Sequence, residues 1–346
     1  MPGADPDRRI AKDTDVSKPD RQGMSGFLSG TTADRPPQAV ALLVGALFLL
    51  GLQDGLAKYT SSEVSLWQFQ AIRSTANLVL LAIVTRVVWG TAGPRPQNIW
   101  AVILRSLLLA AAMILFFGGM PFLTLAEIAA GLYVFPLFVA VLSAILLGER
   151  VGPRRIAAIL VGFAGTLLIL KPGTDAFRPV SLMPVCAALC YAGTILTTRR
   201  LCRTESPVTL AYGVSLAFLG LSLLGLLAFA AEPFEGLAQV WPYLFTGWNP
   251  LAVWVLAIIL GCSFLNLSAN IGLAKAYQNA EASWLAPFDY SYLIFATFWG
   301  FALWGHVPDV LTFLGMAMIA GAGVFVAWRE RRDAKSRAGN SPRPVP

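Results

Sequence analysis

Residues 126–150 read AEIAAGLYVFPLFVAVLSAILLGER, and this stretch decides the fold class of the chain. No residue between Glu127 and Glu149 is charged. An apolar run of about 20 residues is what one helix needs to cross a hydrocarbon core roughly 30 Å thick. The stretch therefore predicts a membrane-spanning helix, with Pro136 inside it as a hinge or kink.

A degraded copy of the same pattern occurs near the end of the chain. Residues 280–290 read AEASWLAPFDY, so an Ala-Glu pair is again followed by a proline, Pro287, expected to be a second kink. Each copy ends in a glycine-polar corner, Gly148-Glu149 and Gly305-His306, and a glycine-containing helix follows. The chain is therefore expected to consist of two similar halves.

Working outward from these copies, most of the chain divides into apolar runs. With 56% hydrophobic and 13% charged residues, it differs from soluble proteins, in which about 25% of residues are charged. We predict an all-α polytopic membrane protein of ten transmembrane helices arranged as two inverted five-helix repeats around a central cavity. The predicted spans are 38–59, 66–89, 98–119, 122–147, 153–170, 180–199, 208–231, 250–273, 282–304 and 309–328.

The basic residues of the loops predict the orientation. Loops on the side of the two tails carry nine basic residues: Arg86, Arg95, Arg150, Arg154, Arg155, Arg199, Arg200, Arg203 and Lys275. The opposite loops carry two, Lys171 and Arg178. Cytoplasmic loops hold the excess of Lys and Arg, so both termini are expected in the cytoplasm. The net charge of +7 is thereby a topology signal and indicates no nucleic-acid partner.

Five spans per half is an odd number, so the second half is expected to enter the membrane the other way up. Inverted repeats place a solute site near the midplane between the halves and allow alternating access. Residues 1–35 contain many charges and no apolar periodicity or secretory signal, which is typical of a disordered cytoplasmic tail. The segment 329–346 is expected to be a basic cytoplasmic tail.

The segments around Pro136, Gly148-Glu149-Arg150, Ala-Pro-Phe-Asp-Tyr and Trp-Gly-His-Val-Pro resemble the drug/metabolite transporter superfamily, in its ten-helix EamA-type branch. The resemblance covers about 38–328. It implies one EamA-like five-helix repeat at 36–173 and another at 174–328, with the inward helices enclosing a central cavity. The second corner of the family usually carries Glu, whereas this chain has His306.

Charged residues at membrane depth mark candidate sites, because a lipid-exposed charge there costs at least about 2.5–3.5 kcal/mol. Asp54 and Lys58 are spaced as an i, i+4 pair, which is either self-neutralising or involved in coupling. Asp289 follows Pro287 and is either a proton-coupling or charge-binding group or a neutral brace of the kink. Glu127 is expected to cap a helix, or to act in the site.

Arg73 lies deep in the second span and is expected to face the cavity. Polar and aromatic residues at similar depths are its predicted neighbours, either as solute contacts or as ordinary packing. They are Gln70, Asn77, Tyr133, Asn266, Asn270, Trp284, Phe288, Tyr290 and Tyr292. Together they suit a flat or amphipathic solute such as a flavin, a nucleoside-like metabolite or an aromatic amino acid.

The sequence predicts no catalytic residues, no cofactor and no metal site. The one histidine excludes a multi-His metal centre, and the four cysteines lack paired metal-ligand spacing. No phosphate-cradling Gly-Lys loop is present, so ATP is not the expected energy source. We therefore predict a secondary-active transporter of a small organic metabolite in the inner (cytoplasmic) membrane, driven by a proton or substrate gradient. A membrane enzyme and a channel are the alternatives.

Overall fold

The computed structural model describes residues 36–89, 96–147, 153–172, 174, 177–231, 234–279 and 282–339. All regular structure in these ranges is helical. The helices are α1 Pro36–Tyr59, α2 Leu66–Trp89, α3 Ile99–Gly118, α4 Leu125–Leu132, α5 Phe135–Leu147, α6 Pro153–Leu170, α7 Leu182–Leu201, α8 Pro207–Phe229, α9 Glu235–Val240, α10 Pro242–Phe245, α11 Val253–Asn279, α12 Ala282–Asp289, α13 Ser291–Trp304 and α14 Val310–Gly339. Short 3-10 turns lie at Thr60–Ser62 and Pro179–Ser181.

Six segments among the described residues are long and apolar enough to cross a bilayer: Pro37–Ser62, Ile99–Gly118, Leu125–Leu146, Pro179–Leu201, Pro207–Phe229 and Val253–Tyr277. Two shorter apolar helices, Ile156–Leu170 and Val310–Phe325, accompany them. The predicted all-helical membrane fold is thereby confirmed. The count of ten spans stays a prediction, because α2 and the α12–α13 pair fall outside both groups.

The fourth predicted span is broken into α4 and α5. Pro136 has no backbone N–H to donate, and its ring clashes with the carbonyl four residues earlier, which belongs to Leu132 at the end of α4. Tyr133, with φ −71° and ψ 6°, lies at the break. The span also begins at Leu125, three residues later than predicted, because Thr124 caps it.

The ninth predicted span is broken in the same way, into α12 and α13. Pro287 lies inside α12, and the break falls three residues later at Tyr290, whose φ is −67° and ψ −10°. Each break thus has a tyrosine at its centre and a proline within three residues. Gly305 ends α13 in the left-handed region at φ 67°, where glycine is favoured.

The last helix continues beyond the predicted end of the tenth span at residue 328. The helix α14 continues through 329–339 and ends at Gly339, so part of the predicted basic tail is helical. Arg, Lys and Glu are good helix formers, and the segment Arg329-Glu330-Arg331-Arg332 contains neither Gly nor Pro to end the helix. The first tail, 1–35, and the Gly148-Glu149 corner lie outside the described residues.

Helix packing follows a reciprocal pattern between the halves. The helix α1 packs on α11, and α3 packs on α7; likewise α1 packs on α13, and α7 packs on α4 and α5. Three contacts pair equivalent spans directly, namely α2 with α8, α4 with α13 and α6 with α14. For the contacts named here, exchanging each span for its predicted counterpart in the other half returns the same set.

The contact between α6 and α14 is made through two glycines. A Cβ atom built on Gly165 would lie 2.8 Å from the carbonyl oxygen of Gly315, and a Cβ on Gly315 would lie 2.5 Å from the carbonyl oxygen of Gly165. Small residues allow helix backbones in membranes to approach in this way. Any larger side chain at either position must push the two helices apart.

Candidate functional site

A buried polar cluster lies where α1, α11 and α13 meet. Asp54 on α1 accepts a short hydrogen bond from the hydroxyl of Tyr292 and another, 2.8 Å long, from the amide of Gln53. Asn266 on α11 donates in turn to the side-chain oxygen of Gln53 at 2.9 Å. Because Asp54 is 8% exposed, these donors replace the water that the carboxylate would otherwise bind.

The two helix breaks meet beside this cluster. Tyr133, at the break of the fourth span, contacts Tyr290, at the break of the ninth, with ring centroids 5.7 Å apart. Tyr133 also stacks on Tyr292, at 5.1 Å and an interplanar angle of 9°. Three tyrosines from both halves therefore form one aromatic cluster, which the hydroxyl of Tyr292 joins to Asp54.

Arg73 on α2 is buried among aromatic rings. Its side chain is 5% exposed, and Cζ lies 5.5 Å from the ring centre of Phe69, 4.9 Å from Phe117 and 5.8 Å from Phe218. Such cation–π contacts stabilise a desolvated guanidinium. Asp54 is within electrostatic range of this cation. Arg73 thus faces the protein interior, among α2, α3 and α8.

Polar atoms without a hydrogen-bond partner concentrate on one face of α2. Among the described residues, eight buried side-chain N or O atoms have no partner. Four of them are Gln70 Nε2, Gln70 Oε1, Arg73 Nε and Asn77 Oδ1. At 100° per residue these three side chains fall within an arc of about 60°. The hydroxyl of Tyr243, on the short helix α10, is also buried and unpartnered.

Asp54 and Lys58 do not pair with each other in the described structure. The ammonium of Lys58 donates to the carbonyls of Met120 and Leu123, the second at 2.9 Å, and lies 5.7 Å from the ring centre of Trp304. Lys58 therefore provides a hydrogen-bond donor for two backbone carbonyls of the α3–α4 connection, whereas Asp54 belongs to the central cluster. The i, i+4 spacing suggested an interaction, but each side chain finds a stronger set of partners across the bundle.

The same end of the bundle, formed by the α1–α2, α3–α4 and α8–α11 connections, is tied together by further hydrogen bonds. The indoles of Trp67 and Trp241 donate to the carbonyls of Leu244 and Gly118, at 2.8 and 3.2 Å. The amide of Gln68 donates to the Asn249 carbonyl and accepts from the Asn249 N–H, both at 3.0 Å. We refer to this set of contacts as the loop seal.

A salt bridge joins the ends of α6 and α14 on the protein surface. Lys171 Nζ lies 2.6 Å from Asp309 Oδ2. The hydrogen bonds from Lys171 and Thr312 hold the pKa of the Asp309 carboxyl below its ordinary value. His306, nearby in the chain, stacks on Trp304 with ring centroids 6.3 Å apart.

Asp289 lies apart from the Arg73 cluster. Its carboxylate accepts a 2.7 Å hydrogen bond from the hydroxyl of Tyr277 on α11, and the pair is partly exposed, since Tyr277 is 39% exposed and Asp289 is half-buried. Asn270 lies seven residues before Tyr277 on α11. It is exposed and donates to the backbone carbonyl of Asn266 at 2.7 Å. Phe288 is 37% exposed, and the side chain of Trp284 is not among those described. The predicted single cavity thus divides into a buried centre and a partly exposed Asp289–Tyr277 pair.

Two other charged residues at membrane depth, Glu127 and Arg105, make contacts that join or cap helices. Glu127 and Thr124 form a reciprocal capping box at the start of α4. Arg105 donates to the hydroxyl of Thr198 at 3.2 Å and to the carbonyl of Leu210 at 3.4 Å, and so joins α3 to α7 and α8. Within the described ranges, no group of three or more His, Cys, Asp or Glu side chains could hold a metal ion.

An apolar groove of 610 Å³ lies between α2, α8 and α11. Its lining includes Thr75, Val79, Leu223 and Phe264, the last two of which are 49% and 63% exposed. No charged side chain lines it. This groove has the composition of a lipid-facing surface, and it is not the candidate site.

Sequence reasoning missed three residues that the structure places in or near the site. Gln53 precedes Asp54 in an otherwise apolar run, a signal that was available in the sequence. Tyr277 lies close to Asp289 across two helices, so only its polarity near the end of a span indicated it. Tyr243 belongs to a loop helix, and nothing in the sequence predicts that this loop packs into the bundle.

Comparisons with known proteins identify relatives of the chain. Residues 37–171 match the EamA-like transporter family. The chain is 29% identical over 280 residues to a riboflavin transporter of Rhizobium johnstonii, covering 81% of this chain and 85% of the relative. It is 32% identical over 203 residues to a riboflavin transporter of Vibrio cholerae, covering 58% and 62%.

Other relatives have other solutes in their names. A pseudopaline exporter of Pseudomonas aeruginosa is 25% identical over 285 residues, covering 82% of this chain and 93% of the relative. One solved crystal structure shares the fold, with a TM-score of 0.56 and 20% identity over 86% of this chain and 99% of its own. The resemblance drawn from the sequence is confirmed by these matches, all of which are to transporters where a function is named.

Proposed function

Because the first half of this chain is an EamA-like transporter domain and its relatives are membrane transporters, we propose that it carries a flat, polar metabolite of the riboflavin class. The carrier works by alternating access across the inner membrane. The relatives from Rhizobium johnstonii and Vibrio cholerae, at 29% and 32% identity, are both named as riboflavin transporters. The identities are too low to transfer a substrate alone, so the proposal also depends on the site.

The observation that carries the proposal is the meeting of two broken helices at Tyr133 and Tyr290. Backbone breaks at membrane depth are tolerated where they are buried in protein or line a cavity. Here the breaks place stacked tyrosine rings beside Asp54 and the amides of Gln53 and Asn266, and Arg73 is within electrostatic range of Asp54. Ring faces with convergent hydrogen-bonding groups suit a flat heterocycle.

The reciprocal packing of the helices supports two inverted repeats, 36–173 and 174–328. An exchange of span for counterpart that preserves the contacts is expected when the two halves are related by a two-fold axis. Since each half has five predicted spans, that axis would lie in the membrane plane. Rocking of one half against the other would then expose the central cluster to alternate sides.

The loop seal supports an inward-facing state for this conformation. With both termini in the cytoplasm, the loop seal closes the outer end of the bundle. The partly exposed pair of Asp289 and Tyr277 then lies in the cytoplasmic half. A carboxylate at that depth requires water rather than lipid around it, so we place the solute entrance there. Asp289 is the group that we assign to proton coupling.

The test is counterflow in proteoliposomes. Purified protein is reconstituted with unlabelled riboflavin inside, and radiolabelled riboflavin is added outside. A carrier gives a transient accumulation of label above equilibrium, which a channel or an enzyme does not. Arg73→Ala is expected to lower the initial rate at least about tenfold, whereas Thr75→Val, on the opposite face of α2, keeps it. Absence of counterflow with riboflavin in folded wild-type protein overturns the proposal.

A further inference from the structure

The two glutamines near the start of α2 are treated differently by the fold. Gln68 pairs both of its amide atoms with one peptide group, the N–H and C=O of Asn249. Gln70, two residues later, is fully buried, yet neither Nε2 nor Oε1 has a partner. Buried amides in proteins are nearly always hydrogen-bonded. Gln70 therefore presents one donor and one acceptor that the protein itself does not use.

Arg73 adds further donors on the same face. It follows Gln70 by three residues, so the two side chains lie on adjacent turns of one helix face. Its Nε is also buried without a hydrogen-bond partner. The rings of Phe69, Phe117 and Phe218 stabilise the cation without accepting its N–H groups in the usual directed way.

The polar groups of Gln70 and Arg73 that lack hydrogen-bond partners define which edge of a ligand would complement them. A primary amide pairs through its oxygen and its NH₂ with a ligand N–H and a neighbouring C=O, as Gln68 does with the peptide of Asn249. A guanidinium then adds a donor for a second carbonyl. The edge that offers acceptor, donor and acceptor in a row is O=C–NH–C=O, the imide of a ring. A lone carboxylate would leave the oxygen of Gln70 without a donor.

We propose that Gln70 and Arg73 bind the cyclic-imide edge of the transported solute. This inference rests on the proposed function, because it assigns the polar face of α2 to the solute of the carrier. It narrows the substrate class to flat heterocycles with that edge, such as isoalloxazines, pteridinediones and uracil-type pyrimidines. Replacing the imide hydrogen by a methyl group removes the donor that Gln70 Oε1 accepts and adds bulk at the same point.

The experiment compares two probes on the purified wild-type protein by isothermal titration calorimetry. They are riboflavin and 3-methylriboflavin, which differ only at the imide nitrogen. We expect riboflavin to bind at least about tenfold more tightly, since a site built to hydrogen-bond an N–H rejects the analogue that lacks it. Gln70→Met, which keeps an unbranched side chain, is expected to weaken the binding of riboflavin. The ratio of the two dissociation constants should then be close to one. Thr75→Val is the matched control and should preserve the ratio.

Each outcome decides between the two proposals. Equal affinity of wild type for the two flavins overturns the imide site and leaves riboflavin transport standing. If riboflavin does not bind, the same comparison is made with lumazine and uridine and their 3-methyl forms. If the protein then binds the parent compounds more tightly than their 3-methyl forms, the imide site is supported and the proposal of flavin transport is overturned. If no imide compound binds, both proposals are overturned. The probe comparison needs no variant, so a poorly folding Gln70→Met does not affect it.

Discussion

At the scale of single residues, the bond between Tyr292 and Asp54 is the most consequential contact in the centre. It joins α13, directly after the helix break, to α1, and both side chains are buried. Asp54 has one further side-chain donor, Gln53. A movement of α13 would therefore remove a hydrogen-bond donor from the buried carboxylate of Asp54.

We predict that Tyr292→Phe lowers the free energy of unfolding by about 1–3 kcal/mol, because it leaves a buried carboxylate oxygen without its donor. The melting temperature of the purified protein in detergent measures the effect. Tyr59→Phe is the control, since Tyr59 is 51% exposed at the end of α1. An unchanged melting temperature for Tyr292→Phe would contradict the role assigned to this bond.

Asp289 is predicted to couple transport to protons. Asp289→Asn keeps the shape of the side chain and its ability to accept from Tyr277 but removes its titration. Uptake or efflux of riboflavin driven by a pH gradient is expected to disappear, while counterflow continues. Loss of both activities would indicate solute binding instead, and loss of neither would make Asp289 a structural brace.

How much of the site was predictable depends on the range of its contacts. Arg73, Asp54 and Tyr292 were each identifiable, because a charge or hydroxyl at membrane depth must have a partner. Their partners were not identifiable, since Gln53 and Asn266 are 213 residues apart. The sequence paired Asp54 with Lys58 by their i, i+4 spacing, whereas the fold gives the two side chains separate partners.

At the scale of elements, apolar length predicted the helices well and their interruptions less well. The second span, Leu66–Trp89, has the predicted bounds, because Ser65 and the following apolar run define them. The eighth runs on to Asn279, six residues further than predicted, since nothing between Leu273 and Asn279 breaks a helix. The breaks in the fourth and ninth spans were indicated only by Pro136 and Pro287. No periodic pattern indicated the short helices α9 and α10.

The glycine contact between α6 and α14 gives a prediction at this scale. Gly165→Ala is expected to destabilise the protein by about 1–3 kcal/mol, because the new methyl group meets the backbone of Gly315 rather than a flexible side chain. Gly261→Ala is the matched control in α11, where a Cβ atom meets nothing within 4 Å. Thermal unfolding of the two variants in the same detergent measures the difference. Equal stability of the pair would show that the helices separate freely.

At the scale of the whole molecule, the orientation is the property most open to test. In a variant whose four cysteines are replaced, single cysteines at Ser62 and Gly236 are expected to react with a membrane-impermeant maleimide on intact cells. Both positions are exposed, and a Cβ at Gly236 meets nothing within 4 Å. A cysteine at Arg203, in a loop predicted to be cytoplasmic, should react only after permeabilisation. The reverse pattern would invert the topology and move the solute entrance to the outer face.

The direct pairing of equivalent spans has a consequence for ancestry. Three contacts join a span to its predicted counterpart: α2 to α8, α4 to α13 and α6 to α14. In a homodimer of separate five-helix chains, one inserted upside down, the same three contacts would lie on the two-fold axis. Fusion of such genes would have made each copy free to diverge. The difference between Glu149 at one corner and His306 at the other is the kind of change that this freedom allows.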